Sequence, residues 1–516
     1  MHTKVFSATT VGINAKEVHV EVDISLGLMN FYIVGLPDTA IKESRQRIQT
    51  ALKNCGIKLP DRKITVNLAP ADLKKEGTLF DLPIAVGILQ ATQLISLDNS
   101  FLEETLFIGE LSLDGSVRPI RGALAITYDA KNHLHKKRIV LPSLNAQEAA
   151  LIDDIEVIGI KNLTDFVAHA RKEKIVSPTI SSWQTFIKQK QTHKIDFSQV
   201  KGQRQAKRAL QIAAAGRHNI LFIGSPGAGK TMLAQRLPTI MPPLSFQEVL
   251  ETSKIYSISG KLNHEQALIY YRPFRAPHHT ISEAGLVGGG TYPQPGEISL
   301  AHHGILFLDE LTEFKRHTLE VLRQPLENNT VSIARANQTI TFPASMLLVA
   351  ALNPCPCGFL GDKKRKCTCS QQDIYRYLQK LSGPLLDRID LQVHVQAIDY
   401  QDIKQSSSEH SSAEMYVTIE NALQAQEIRF GSHRFNHHMT SDEIERYCVL
   451  DQKAEQALQL AFDRLNLSMR GYHKILKIAR TIADLDKSST ILLSHIQEAI
   501  TYRSLEQTLE KMRATP

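Results

Sequence analysis

Tryptophan occurs once, at Trp183, and aromatic residues make up only 6% of the 516. No apolar run approaches the ~20 residues that a helix needs to cross a bilayer. The N-terminus, Met1-His2-Thr3-Lys4 and then alternating residues, lacks the apolar core of a secretory leader. A membrane or secreted protein is disfavoured, and a cytoplasmic one is expected. Cysteine is scarce, at six residues. Four of them fall between Cys355 and Cys369, a clustering that favours a metal over disulfides in a reducing compartment. Charge of either sign is nearly balanced, 60 basic against 53 acidic residues for a net +7. Such a surplus permits a phosphate-bearing partner without requiring one. What remains is ordinary: 42% hydrophobic and 22% charged residues, in a chain long enough for more than one domain.

Residues 1–170 mix strand and helix signals. Segments 18–24, 29–34 and 63–68 read as strands, 40–55 as an amphipathic helix that Asp38 can cap, and 82–94 as a buried apolar helix. Segment 111–115 reads as a strand entering a hairpin turn, and 138–141 as a short strand. Residues 171–194 are rich in Lys, Ser and Gln and read as a linker. From 195 to 400, apolar runs at 219–223, 304–308 and 346–352 fit buried strands of a parallel sheet. Residues 401–516 form a last domain that opens on a polar loop at 401–414 and is otherwise helical.

Gly224-Ser225-Pro226-Gly227-Ala228-Gly229-Lys230-Thr231 follows an apolar strand and opens a helix at Met232. The pattern is that of a phosphate-binding loop for ATP. Its glycines let backbone N–H groups wrap phosphates, and the helix start adds partial positive charge. Lys230 reaches the terminal phosphates and Thr231 ligates Mg²⁺. A second apolar strand ends in Asp309-Glu310. There Asp309 can hold Mg²⁺ through its water shell, and Glu310 can polarise the attacking water. Asn353 ends a third strand, where a polar side chain faces the ligand crevice and can bond the γ-phosphate or the lytic water. A turn-forming Asn before Pro354 is the plainer alternative.

These parts in this order resemble an AAA+ ATPase. The segments Pro273-Phe274-Arg275-Ala276-Pro277-His278-His279, Gly288-Gly289-Gly290, Pro295-Gly296-Glu297-Ile298-Ser299-Leu300-Ala301 and Asn353-Pro354-Cys355-Pro356-Cys357-Gly358 resemble the Mg-chelatase-like family of AAA+ proteins. So do Gly383-Pro384-Leu385-Leu386-Asp387-Arg388-Ile389-Asp390 and Ser468-Met469-Arg470-Gly471-Tyr472-His473. The resemblance implies an α/β fold, an AAA+ P-loop core with a helical lid. It assigns Arg388 as an arginine finger acting on a neighbour's γ-phosphate, and Arg470 as the sensor-2 arginine of the lid. It further implies a homohexamer, an ATP-driven helicase that migrates branched junctions as transforming DNA is integrated by homologous recombination. Its partners would be single-stranded and branched DNA and the recombinase machinery. Two rivals share such a core: a chelatase subunit for Mg insertion into porphyrin, and a protein-remodelling ring.

Residues 330–335 and 339–342 alternate about a turn, and the resulting hairpin resembles the pore hairpin of ring helicases. Arg335, Asn337 and Gln338 near its tip can meet DNA, with contacts between subunits as the alternative. Adjacent His278 and His279 are expected to point opposite ways on an extended segment and not to share a metal, with packing or loop hydrogen bonds as their default role. Cys355, Cys357, Cys367 and Cys369 form C-x-C…C-x-C, with a basic spacer at 363–366. Four thiolates suit structural Zn²⁺, although C-x-C is tighter than the usual C-x₂₋₄-C; reduced thiols are the alternative. Segments 75–83 and 114–120 resemble the Lon-protease (ribosomal S5 domain 2-like) fold. Phe80 then stands at the position of the nucleophilic serine and Leu124 near that of the lysine, so the domain is expected to be non-proteolytic. Ser116 and Lys75 remain as polar surface candidates.

Overall fold

The computed structural model describes residues 2–28, 30–35, 39–71, 73, 75, 77–181, 195–262, 268–290, 293–335, 338–362, 364–397, 410–432, 434–464 and 467–503. The chain divides into two compact units, residues 1–190 with 246–270, and residues 191–245 with 271–516.

In the first unit β1 (His2–Val11) and β2 (Asn14–Ser25) form a long antiparallel hairpin. With β3 (Asn30–Val34), β4 (Lys63–Ala69), β5 (Thr105–Phe107), β8 (Arg138–Pro142) and β9 (Glu156–Ile160) they build a mixed sheet in the order β3-β4-β2-β1-β5-β8-β9. β6 (Glu110–Leu111) and β7 (Val117–Arg118) pair separately, as the hairpin reading of that stretch anticipates. The helix expected at 82–94 runs Asp81–Ala91 and is buried almost throughout. Its buried Asp81 accepts from Arg47 Nε at 3.0 Å.

Phe80 and Leu124 are both fully buried, so the two positions read as a missing dyad are core positions. Lys75 corrects the sequence reading: it is buried, not a surface residue, and its ammonium donates to the Pro70 carbonyl. Ser116 is half-buried and bonds Asp114.

Residues 246–270 fall inside the stretch 195–400 expected to carry the parallel sheet, yet they pack with this first unit. In the helix Phe246–Ile258, Lys254 lies 3.4 Å from the Asp129 carboxylate and 3.5 Å above the Tyr128 ring. A buried cation needs such partners to avoid the desolvation penalty. Asp38, residues 182–194 with Trp183, and residues 401–409 lie outside the described residues.

The second unit centres on five parallel strands, β10 (Ile220–Ile223), β11 (Phe274–Arg275), β14 (Ile305–Leu308), β17 (Leu347–Leu352) and β18 (Leu391–His394), ordered β11-β14-β17-β10-β18. The three apolar runs read as buried strands are β10, β14 and β17, and every residue in them is buried. Two small ribbons complete the unit, β12 (Gly288–Gly289) with β13 (Gln294–Pro295), and β15 (Thr330–Arg335) with β16 (Gln338–Pro343).

The C-terminal segment is helical at Ser412–Phe430, Ser441–Tyr447, Gln452–Arg464, Met469–Leu485 and Leu493–Thr501. The first of these helices begins inside the loop expected at 401–414. Ser411 and Glu414 form a reciprocal cap there, which stops the loop early. This helical segment shares one apolar core with the sheet. Buried Asp390 ties the two together, meeting Lys474 Nζ at 3.0 Å, His437 Nδ1 at 3.0 Å and the Asn219 N–H at 3.0 Å. Burial raises the Asp390 pKa, but Lys474 and His437 outweigh it and hold the carboxyl well below its ordinary range. No described helix is long and apolar enough to cross a membrane.

Candidate nucleotide site

Strand order explains why distant residues meet. β17 lies between β10 and β14, so the loop after β10, the carboxylates after β14 and Asn353 after β17 share one edge of the sheet. Gly227 and Gly229 hold φ of +78° and +91°, a region L side chains rarely occupy. Gly224 is required for another reason. A Cβ there would stand 2.2 Å from the Val395 carbonyl oxygen, so the loop could not lie against the end of β18. The helix Lys230–Arg236 then starts directly from the loop.

Lys230 Nζ donates to Gly224 O at 2.6 Å, Ser225 O at 3.0 Å and Asn353 Oδ1 at 3.0 Å. Its pKa is lowered by burial, against the opposing pull of Asp309 and Glu310. Thr231 Oγ1 donates to Asp309 Oδ2 at 2.6 Å, and the other Asp309 oxygen accepts from the Glu310 N–H at 2.9 Å. Two hydrogen-bonded pairs, Lys230 with Asn353 and Thr231 with Asp309, therefore sit side by side at the start of one helix. Hard oxygen donors held this close fit Mg²⁺, which takes carboxylate and hydroxyl oxygens and keeps several waters. Of the remaining loop residues, Ser225 and Ala228 are buried while Met232 is 36% exposed. Glu310 adopts a left-handed φ of +51° and leaves 57% of its side chain exposed. His279 Nδ1 lies 3.5 Å from its carboxylate, a neighbour the sequence reading did not anticipate.

The two histidines correct an expectation. Residues 276–280 are not a strand, and the His278 and His279 rings lie 4.0 Å apart, tilted by 34°. His278 bonds Thr280 while His279 faces Glu310, so loop contacts account for both.

Arg388 and Arg470 come together at Glu327. The Arg388 guanidinium pairs with the Glu327 carboxylate, and Arg470 Nη2 lies 3.7 Å from the same oxygen. β15 and β16 pair in register down to Arg335 opposite Gln338. Asn337 and the side chains of Arg335 and Gln338 lie outside the described residues.

The four clustered cysteines converge, all sulfurs lying within 4.8 Å of one another. Cys355–Cys357, Cys357–Cys367 and Cys355–Cys367 are 3.3, 3.5 and 3.6 Å apart. A tetrahedral Zn site with Zn–S near ~2.3 Å spaces its sulfurs by about 3.8 Å, whereas a disulfide holds them near ~2.05 Å. The donor set fits zinc. Backbone N–H groups of Phe359 and Thr368 lower the Cys357 thiol to about 6. The cysteine loop also touches the 224–231 loop, since a Cβ on Gly358 would stand 2.6 Å from the Pro226 ring. The Ser225 hydroxyl bonds the Asp362 carboxylate as well.

The family description "Magnesium chelatase, subunit ChlI" matches residues 196–403, and its C-terminal counterpart matches 409–503. A further ChlI description matches residues 20–145. "Competence protein ComM" of Haemophilus influenzae is 43% identical over 98% of this chain and 98% of its own length. The chain belongs to the ComM/YifB family of Mg-chelatase-like AAA+ ATPases. A YifB protein of Salmonella typhimurium is 40% identical over 98% of this chain and 97% of its own length. Lon protease 2 of Bacillus subtilis matches a shorter stretch, 33% identical over 24% of this chain and 22% of its own length. Membership of the ComM/YifB family implies an ATPase that uses ATP with Mg²⁺, of a class whose members commonly oligomerise.

Proposed function

We propose that this protein is a homohexameric DNA motor, a helicase that uses ATP hydrolysis to migrate branched DNA while transforming DNA is integrated by homologous recombination. One observation carries the reading. The β15–β16 hairpin is inserted in the chain between β14, which ends at the carboxylates, and β17, which ends at Asn353. That order links the hairpin through the chain to both strands whose ends carry the candidate site. The name of the relative, competence protein ComM, points the same way.

In this account Lys230 and the loop N–H groups hold the phosphates, and Thr231 with Asp309 holds Mg²⁺. The metal supplies charge neutralisation on the phosphate oxygens. Glu310 accepts the proton of the attacking water, and Asn353 orients it. Arg388 reaches the site of the next subunit, and Arg470 on the helical lid assists. Arg335, Asn337 and Gln338 meet single-stranded and branched DNA in the ring's channel. Six copies make a modest charge per subunit sufficient. The loop of four cysteines holds structural Zn²⁺ against the nucleotide loop. The Lon-protease-like front domain serves assembly or DNA contact without proteolysis, in line with buried Phe80 and Leu124. A cytoplasmic site and joint work with the recombinase machinery follow from that role.

A labelled three- or four-strand DNA junction tests the reading. ATP-dependent strand exchange that Glu310→Gln abolishes is the expected result. ATP-dependent Mg insertion into a porphyrin, with no exchange, would favour the chelatase alternative.

A further inference from the structure

Glu327 lies in none of the motifs that mark the nucleotide site, yet it is where two of the proposed site's arginines meet. Its carboxylate pairs with Arg388 and lies 3.7 Å from Arg470 Nη2. Arg388 is the more tightly held. Its side chain is only 10% exposed, and its second terminal nitrogen donates to the Pro384 carbonyl. Its Nε is buried with no hydrogen-bond partner, which shows that the pose does not satisfy the whole guanidinium. A planar cation with five donors is poorly used in such a pose, and a phosphate would satisfy more of it.

The position of Glu327 in the chain matters as much as its contacts. It lies in the short helix Arg323–Asn328, which leads through Asn329 directly into β15. The Asn329 N–H donates to the Pro325 carbonyl at 3.0 Å, and the Asn329 carbonyl accepts from Ala344 N at 2.7 Å, just beyond β16. The helix bearing Glu327 is thereby fastened to both strands at the base of the hairpin. A displacement at the base of the hairpin therefore has a hydrogen-bonded route to the helix that bears the carboxylate.

We propose that Glu327 is a positioning residue that holds Arg388, with Arg470 beside it, away from the neighbouring subunit's nucleotide until movement of the β15–β16 hairpin releases them. The proposal rests on the reading of Arg388 as an arginine finger. It gives that reading a route by which occupancy of the hairpin governs hydrolysis. In the hairpin's resting position the finger is neutralised by its own chain. When the hairpin shifts, the carboxylate withdraws, and the guanidinium becomes available to charge developing on phosphate oxygens across the interface.

The test compares steady-state ATP hydrolysis by the full chain, Glu327→Gln, Arg388→Ala and the double variant, with and without branched DNA, after each is shown to melt like the parent. Without DNA, Glu327→Gln should raise kcat about two- to fivefold, the population shift expected on losing a charge pair whose carboxylate side is open to solvent, while KM for ATP stays unchanged. The ratio of DNA-stimulated to basal rate should fall accordingly, and the double variant should drop to the Arg388→Ala level. A merely structural carboxylate would lower kcat or leave it alone. An unchanged or reduced DNA-free kcat in Glu327→Gln overturns the proposal, as does a gain that survives Arg388→Ala. If the parent ignores DNA altogether, the DNA-motor reading fails, while the DNA-free comparison still decides the role of Glu327.

Discussion

Removing the Lys230 ammonium and neutralising the Glu310 carboxylate should fail in different ways. Lys230 is bonded to the loop it would share with the phosphates, so Lys230→Ala is expected to lose nucleotide binding, read by fluorescent-nucleotide titration. The Glu310 side chain is more than half exposed and faces His279. Glu310→Gln should keep binding while turnover falls by ~10²–10⁴-fold, the usual worth of a general base. At this scale the sequence was informative where chemistry demands a residue type at a fixed spacing. Lys230 meets Asn353 and Thr231 meets Asp309, as their strand-end positions imply. Glu327 and the contact of His279 with Glu310 were not legible. Their partners lie far along the chain, and a lone Glu in a short helix or a His in a loop carries no local pattern.

Elements were legible where burial is one-sided or complete. The all-apolar runs of β10, β14 and β17 announced themselves, as did the alternation of β15 and β16. The helix Phe246–Ile258 shows why other elements were not. Thr252, Ser253, Lys254 and Ser257 are all buried in it, so no apolar stripe reveals which unit it joins. The cysteine loop offers a direct element-level check. Purified protein should carry about one zinc ion per chain by atomic emission, lost in Cys367→Ser together with several degrees of melting temperature. Protein that is metal-free yet equally stable would favour plain reduced thiols.

In the first unit, burial pushes the Glu148 carboxyl up to about 7, against the opposing bond from Asn145. A raised folded pKa means that its contribution is present below the ordinary glutamate value and is lost as pH rises towards 7. Glu148→Gln should therefore match the parent near pH 4.5 and exceed it at pH 8, by on the order of 1–3 kcal/mol. Denaturant melts at the two pH values would show whether the difference appears only at the higher one.

On the scale of the whole molecule, two units are joined by more than a single linker, because residues 246–270 leave the second unit to pack with the first and then return. A boundary drawn from composition could not see that excursion, since nothing in the sequence marks its two crossing points. The proposed ring lies beyond one chain, but its logic can be tested in bulk. Steady-state ATP hydrolysis by the purified full chain, with and without branched DNA, is the most direct measurement of the central claim. The account predicts strong stimulation by DNA that disappears in both Lys230→Ala and Glu310→Gln. Hydrolysis that proceeds equally with and without DNA would contradict it and leave an ATPase of this family working on something other than DNA.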